Sequence, residues 1–170
     1  MDLLNAALKY AELGYKVFPC KPGGKAPDCA HGFHDATTDA ETIEKWWTEN
    51  PKRNLAIRTE GLLVIDIDGT KNEWLSGAPE RQAELACGPM SYTPRGGRHH
   101  WFRVPEGHEW GCSQAAIAPK VDTRAEGGYV VVAPSATGDG AYAWCPTMEL
   151  DCAPGRLPEP PGDRKSTRLN

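Results

Sequence analysis

The chain has 170 residues, a quarter of them charged, with a net charge of −4, six Trp and five Tyr. That is one domain, or one domain plus a tail, long enough to bury a core without disulfide staples and too rich in packing bulk to remain disordered. No apolar run approaches the ~18 residues of a membrane span, Met1-Asp2-Leu3 lacks the basic stretch of a secretory signal, and the acidic balance argues against nonspecific coating of nucleic acid, so a cytoplasmic protein without a membrane partner is expected.

Leu3, Leu4, Ala7, Leu8 and Ala11 recur at helical spacing, with Gly14 where a helix would stop. Residues 15–18 predict a short strand ended by Pro19, and residues 21–25, with Pro22, Gly23 and Gly24, a loop. Thr38-x-x-Glu41 has the form of a capping box, with Asp39 a rival cap. The helix behind it presents Ile43, Trp46 and Trp47 and stops at Asn50-Pro51. Residues 54–58 and 62–68 read as strands split by Gly61. Pro79 opens a helix to about Cys87, which Gly88-Pro89 ends. Residues 99–104, 120–124 and 129–133 add three strands, and residues 142–145 a last one. Helices and strands mix without a steady βαβ alternation, which makes the fold class α+β with a mainly antiparallel sheet. The proline-rich stretch 153–162 has no periodic pattern and reads as a linker or loose tail. The final octapeptide, 163–170, resembles the in-frame translation of a common sequencing adapter and is read as a non-native scar, beyond which the natural protein is expected to continue.

Six cysteines are present and none forms a C-x-x-C pair, so free thiols are expected. Cys20, Cys29, His31 and His34 lie close in sequence, but the gap between the two cysteines is long for a zinc knuckle, and zinc is not expected.

Three segments carry chemistry. In Asp66-Ile67-Asp68 the two acids share one face of a strand, opposite Ile65 and Ile67. Two adjacent carboxylates on an otherwise apolar strand call for a cation, and Mg²⁺ or Mn²⁺ prefers such oxygen ligands. The competing reading is a strand that ends at Ile65, leaving both acids solvated. Residues 91–105 contain three arginines, two histidines and no acid, around the turn Arg95-Gly96-Gly97-Arg98. Paired glycines let backbone N–H groups approach an anion, and arginine matches phosphate oxygens. Alternation puts His99 beside Trp101 and Arg103, and His100 beside Phe102 and Val104, which makes His99 the ligand-facing candidate. An ordinary hairpin with surface histidines is the alternative. Asp122, on a run shared with Lys120 and Arg124, either completes a three-carboxylate site or forms a surface ion pair.

In order along the chain, Phe18-Pro19, Gly23-Gly24-Lys25-x-Pro27, His31-Gly32-Phe33-x-Asp35-Ala36-Thr37-Thr38-Asp39, Trp46-Trp47, Asn54-Leu55-Ala56-Ile57, the acidic pair, Gly96-Gly97-Arg98-His99 and Asp122-x-Arg124-x-x-Gly127-Gly128-Tyr129-Val130-Val131 are present. This combination resembles the amino-terminal domain of bifunctional primase–polymerases, in the archaeo-eukaryotic primase superfamily. The resemblance implies a small α/β unit paired with an RRM-like unit, the active site between them, and a catalytic domain over residues 1–152. It implies Asp66, Asp68 and Asp122 as ligands of Mg²⁺ or Mn²⁺. It implies His99 on the phosphates of an incoming nucleotide, with Arg95, Gly96, Gly97, Arg98, Lys25 and Arg124 around it. The implied activity is template-dependent nucleotidyl transfer from NTPs or dNTPs on single-stranded DNA, alone or with a helicase, in replication of a phage, plasmid or other mobile element. A metal-dependent nuclease and a non-catalytic nucleotide- or DNA-binding module of a replication helicase are the alternatives. Arg95 stands where the family often has Ser or Gly, which makes this turn more basic.

Overall fold

Side-chain caps start the two long helices. In the structure, a computed structural model that describes residues 1–162, Asp2 accepts from the Asn5 amide and opens α1 (Leu3–Leu13), which Gly14 closes in the left-handed conformation. The helix buries Ala6, Ala7, Tyr10 and Ala11, while Leu3, Leu4 and Leu8 pack at its margin. Three alanines beside Tyr10 thus face the core and let the helix sit close to it. β1 (Val17–Cys20) follows and runs through Pro19, two residues beyond the expected end. Proline is tolerated there because β1 is an edge strand, where a missing N–H interrupts no ladder on both sides. A 3-10 turn (Gly32–Asp35) leads to α2 (Ala40–Glu49). Asp39 caps α2 by accepting from the Thr42 amide, so the rival cap prevails over the Thr38 capping box. Ile43 and Trp47 are buried, Trp46 only partly, and Asn50 ends the helix.

β2 (Asn54–Arg58) and β3 (Leu62–Ile67) come next, then the short α3 (Glu73–Ser76) and α4 (Pro79–Leu85). β4 (Met90–Tyr92), β5 (Arg98–Arg103), β6 (Ser113–Ala118), β7 (Val121–Arg124) and β8 (Tyr129–Val131) follow. Three two-residue strands, β9 (Ala136–Thr137), β10 (Gly140–Ala141) and β11 (Ala143–Trp144), complete the set. Every paired strand among them is antiparallel, in a three-stranded sheet β1-β2-β8, a six-stranded sheet β11-β4-β5-β3-β7-β6 and the hairpin β9-β10. The fold is α+β.

β3 lies inside the six-stranded sheet and is apolar on both faces. Leu62 and Val64, with Trp101 of β5, join a core shared with α1, α2 and the smaller sheet. Leu63, Ile65 and Ile67, with Phe102, are covered on the other face by Leu75 of α3 and Leu85 of α4. A third cluster, including Phe18, Ala56, Val131 and Tyr142, links the smaller sheet to the segment after it.

The stretch expected as a linker or tail packs onto this body instead. Leu157 is buried in the core, the Arg103 amide donates to the Pro158 carbonyl at 3.0 Å, and Arg103 pairs with Glu159 at 2.8 Å. Proline richness removes periodicity but not the ability to bury one leucine. The octapeptide 163–170 lies outside the described residues. Among the described residues, no helix is long and apolar enough to cross a membrane.

His100 shares its face with Phe102 and is 1% exposed, and neither ring nitrogen has a hydrogen-bond partner. Burial, then the Arg98 charge, push its pKa down to about 4, and the nearby Leu85 backbone offsets this only in part. The folded state therefore holds His100 neutral. That stabilisation is complete above the unfolded value near 6.5 and is lost as pH falls from there towards 4, a loss of about 3 kcal/mol. In His100→Leu the corresponding part of the acid limb should flatten when unfolding free energy is measured by denaturant titration between pH 7 and 4. An unchanged acid limb would place the titrating group elsewhere.

Candidate active site

Along β3 the core-facing row changes chemistry at its last position: Leu62, Val64, then Asp66. Because β3 is flanked on both sides, its register fixes Asp66 against two residues at once. Asp66 pairs with His99 of β5 and with Asp122 of β7, so the three side chains leave the same face in one line across the sheet. His99 Nε2 lies 3.3 Å from Asp66 Oδ1. Asp68 is one residue past the strand, and its amide donates to the Lys120 carbonyl at 2.9 Å, which ties it to the same strand end.

Asp66, His99 and Asp68 line the floor of a cleft of about 620 Å³ between the two sheets. Lys25 enters from the loop after β1, Arg95 from the turn between β4 and β5, and Arg124 from β7. Burial opposes ionisation of Asp66, but its hydrogen bond to His99 and the charges of His99, Arg124 and Lys25 outweigh burial, so its carboxyl lies below the usual range. Asp68 moves the other way. Burial, then repulsion from Asp66 and Asp122, raise it, with Lys25 and His99 offsetting only part. Asp68 thus feels both of the other acids.

The chain belongs to the bifunctional DNA primase/polymerase N-terminal family, whose model matches residues 7–160. A comparison with curated proteins finds no match. Membership in this primase/polymerase family implies primase or polymerase activity in DNA replication, a nucleotidyltransferase reaction.

Within this primase/polymerase domain the structure divides the residues singled out from sequence. It gathers Asp66, Asp68, His99, Lys25, Arg95 and Arg124 around the cleft. Asp122 stands in the same row but is turned aside: one oxygen accepts from the Ala115 amide at 2.9 Å and the other lies 3.5 Å from Arg124. Among the described residues no three His, Cys, Asp or Glu side chains stand at metal-ligand spacing. Asp66, Asp68 and Asp122 carry hard carboxylate oxygens, the donor type that Mg²⁺ or Mn²⁺ prefers.

Arg98 is not brought to the cleft. Strand alternation places it across from Ile67, on the face of His100, whose pKa its charge depresses. Gly96 and Gly97 do not form an open cradle either. The Gly96 amide donates to the Thr93 carbonyl at 2.9 Å, closing the turn. A Cβ on Gly97 would press into the Ile67 carbonyl and stand 2.9 Å from Thr93 Oγ1, and one on Gly96 would collide with Thr70. The two glycines let this turn lie directly on the end of β3, and so set where Arg95 and His99 stand.

Tyr142 is a wall residue that sequence reasoning missed. Its ring lies 6.1 Å from that of His99, and burial, then the Asp66 charge, raise its hydroxyl to about 12. Thr137 and Asp139, from the β9-β10 hairpin, and Phe33, from the 3-10 turn, were also missed. No local signal marks them, because the hairpin strands are two residues long. Of the neighbouring thiols and histidines, Cys20 is buried in β1, Cys29 donates to the Gly32 carbonyl, His31 lies against Asp35, and His34 stacks on Phe33.

Gly97→Ala should therefore destabilise the fold by roughly 1–3 kcal/mol, as overpacking against rigid backbone does. Urea unfolding measures this. A change within error would show that the turn yields freely and does not register His99 on β3.

Proposed function

We propose that this domain catalyses template-dependent nucleotidyl transfer, making or extending primers with NTPs or dNTPs along single-stranded DNA. The observation that supports this reading most is His99 in register with Asp66 at the base of a cleft that also receives Asp68, Lys25, Arg95 and Arg124, with Asp122 next in the same row. Asp66, Asp68 and Asp122 would hold Mg²⁺ or Mn²⁺. When bound, these ions lower the pKa of a primer 3′-hydroxyl and neutralise the leaving pyrophosphate.

The chain's own residues account for the rest. Asp66, kept ionised by His99 and the flanking cations, presents a carboxylate whatever the ligand state at neutral pH. The 3.3 Å contact with Asp66 Oδ1 also fixes the His99 ring, which lines the cleft where a triphosphate would lie. Lys25, Arg95 and Arg124 come from three different elements and meet a triphosphate from separate directions. Arg98 and the turn amides, implied by resemblance as further phosphate contacts, act at most indirectly, through the placement of Arg95 and His99. Replication of a phage, plasmid or other mobile element, with an attached or separate helicase, is the setting this activity fits.

Incubation with a primed single-stranded template, labelled dNTPs or NTPs, and Mg²⁺ or Mn²⁺ tests the reading. Products longer than the primer and dependent on template sequence are expected, and Asp66→Asn should lower their rate by at least ~10²-fold with the melting temperature retained. Shortened template would favour a nuclease using the same acids. No extension by the wild type, with DNA bound equally by the Asp66→Asn, Asp68→Asn double variant, would favour a binding module.

The two arginines of the turn separate face from sequence. Arg95→Ala should raise the nucleotide KM about tenfold, the loss of one charge-assisted contact. Arg98→Ala should leave that KM within about twofold, because its side chain lies on the other face of the sheet. Steady-state kinetics on both variants is the check, and equal effects would contradict the alternation.

A further inference from the structure

Asn54 opens β2, is 3% exposed, and carries no role in the account above. A buried carboxamide must satisfy two donors and an acceptor. Asn54 does so on two chain segments distant in sequence. Its Oδ1 accepts from the Ala136 amide at 3.2 Å and its Nδ2 donates to the Ala136 carbonyl at 2.8 Å, so the side chain copies a rung of β-ladder. The second Nδ2 hydrogen goes to the Gly24 carbonyl at 2.9 Å. The two carbonyls on the nitrogen side settle which way the amide points.

Both segments are walls of the cleft. Gly24 is followed by Lys25, and Ala136 by Thr137, all of them at the cleft surface apart from Ala136 itself. One residue further on from Gly24, the Lys25 carbonyl accepts from the Tyr129 hydroxyl at 3.0 Å. Tyr129 is itself held by its ring, edge-on to Phe18 at 5.1 Å. Two consecutive carbonyls, Gly24 and Lys25, are therefore gripped by side chains from two neighbouring strands, β2 and β8. A glycine-containing surface loop would otherwise sample many conformations, and immobilising it in advance removes that entropy from ligand binding.

We infer that Asn54 and Tyr129 are positioning residues that hold the Gly24-Lys25 peptide so that the Lys25 ammonium is preset for the triphosphate of the incoming nucleotide. The inference rests on the proposed nucleotidyl-transfer reading. It assigns no contact with substrate to Asn54. Tyr129 acts through its hydroxyl on the Lys25 backbone, and its ring can pack as before without that hydroxyl.

Tyr129→Phe is the first test, since it removes one hydrogen bond from a partly exposed site. Asn54→Ser is the second, a harsher change. Each should raise the nucleotide KM in primer extension by about five- to tenfold, the worth of one or two lost hydrogen bonds, with kcat within about twofold. In a Lys25→Ala background the same changes should add less than about twofold, because the group they position is gone. Full additivity with Lys25→Ala would overturn the inference, as would an unchanged KM in Tyr129→Phe. A second measurement needs no activity: hydrogen exchange of the nucleotide-free chain. The Lys21 and Gly24 amides, bonded to the Ala26 and Lys21 carbonyls, should exchange faster in Tyr129→Phe. Unchanged exchange would overturn the hold on the loop even in an active enzyme. Faster exchange in a chain whose wild type uses no nucleotide would leave the hold in place and overturn the nucleotide role together with the reading it rests on.

Discussion

The register of β3 is the constraint on which the site depends. A strand's side chains alternate, so a slip of one residue against β5 and β7 would exchange its two faces. Asp66 would then point at Leu75 and Leu85 under the short helices, and Ile65 or Ile67 would enter the cleft. Burying an ionised carboxylate among apolar side chains without a partner is strongly unfavourable. The apolar pattern alone does not choose the register, because Leu62 to Ile65 are apolar on both faces. The single charged position does, and it does so only because His99 waits on one side with a ring nitrogen 3.3 Å away. The residue that is proposed to act is also the one that fixes the strand.

The same face of the sheet serves two purposes along its length. At one end Leu62, Val64 and Trp101 close the core beneath α1 and α2. At the other, Asp66 and His99 face the cleft, with Asp122 next in the row but turned to the Ala115 amide and Arg124. Tyr142 sits at the join, against His99 and within the cluster formed by Phe18, Ala56 and Val131. Rigidity at the polar end is therefore inherited from packing at the apolar end, a few residues away on the same strands. The smaller sheet contributes in kind: Ser135 Oγ accepts from the Leu55 amide, and Asn54 binds Ala136, so the chain leaving β8 is stitched to β2 before it forms the cleft-side hairpin.

Sequence made β2, β3 and α1 legible because each combines a sustained apolar run with a clear stop, Gly61 or Gly14. It separated His99 from His100 because alternation needs only one anchored neighbour, and Phe102 supplied it. The same rule, applied to Arg98, puts that residue on the His100 face. Its grouping with His99 came from the basic glycine turn and the resemblance, neither of which says which face of the strand a residue takes. β4 and β9 to β11 were hidden or ill-bounded because two or three residues cannot display a period. β6 was hidden because its pairing with β7 is irregular between Ser113 and Ala118, with Ala115 at a positive φ. Asn54 was quoted in a motif without a role, since its partners lie 30 and 82 residues away. The fold class, set by many local patterns, survives such gaps. A site assembled from long-range hydrogen bonds does not.

The electrostatics of the cleft narrow what it can receive. A free anion of ordinary size would meet Asp66, Asp68 and Asp139 as well as the cations, and a free cation would meet Lys25, Arg95 and Arg124 as well as the acids. Neither satisfies both sets. The raised carboxyl of Asp68 reflects its burial first and then this balance, since Lys25 and His99 offset its two acidic neighbours only in part. A ligand that carries positive charge at one end and phosphate oxygens along its length satisfies both sets at once, and a divalent cation bound to a nucleoside triphosphate has that form. The net charge of −4 is no obstacle to such a ligand or to a DNA strand. Screening confines electrostatics to roughly 8–10 Å at physiological salt, so the local grouping of charges in the cleft, rather than their total over the chain, decides what is drawn in.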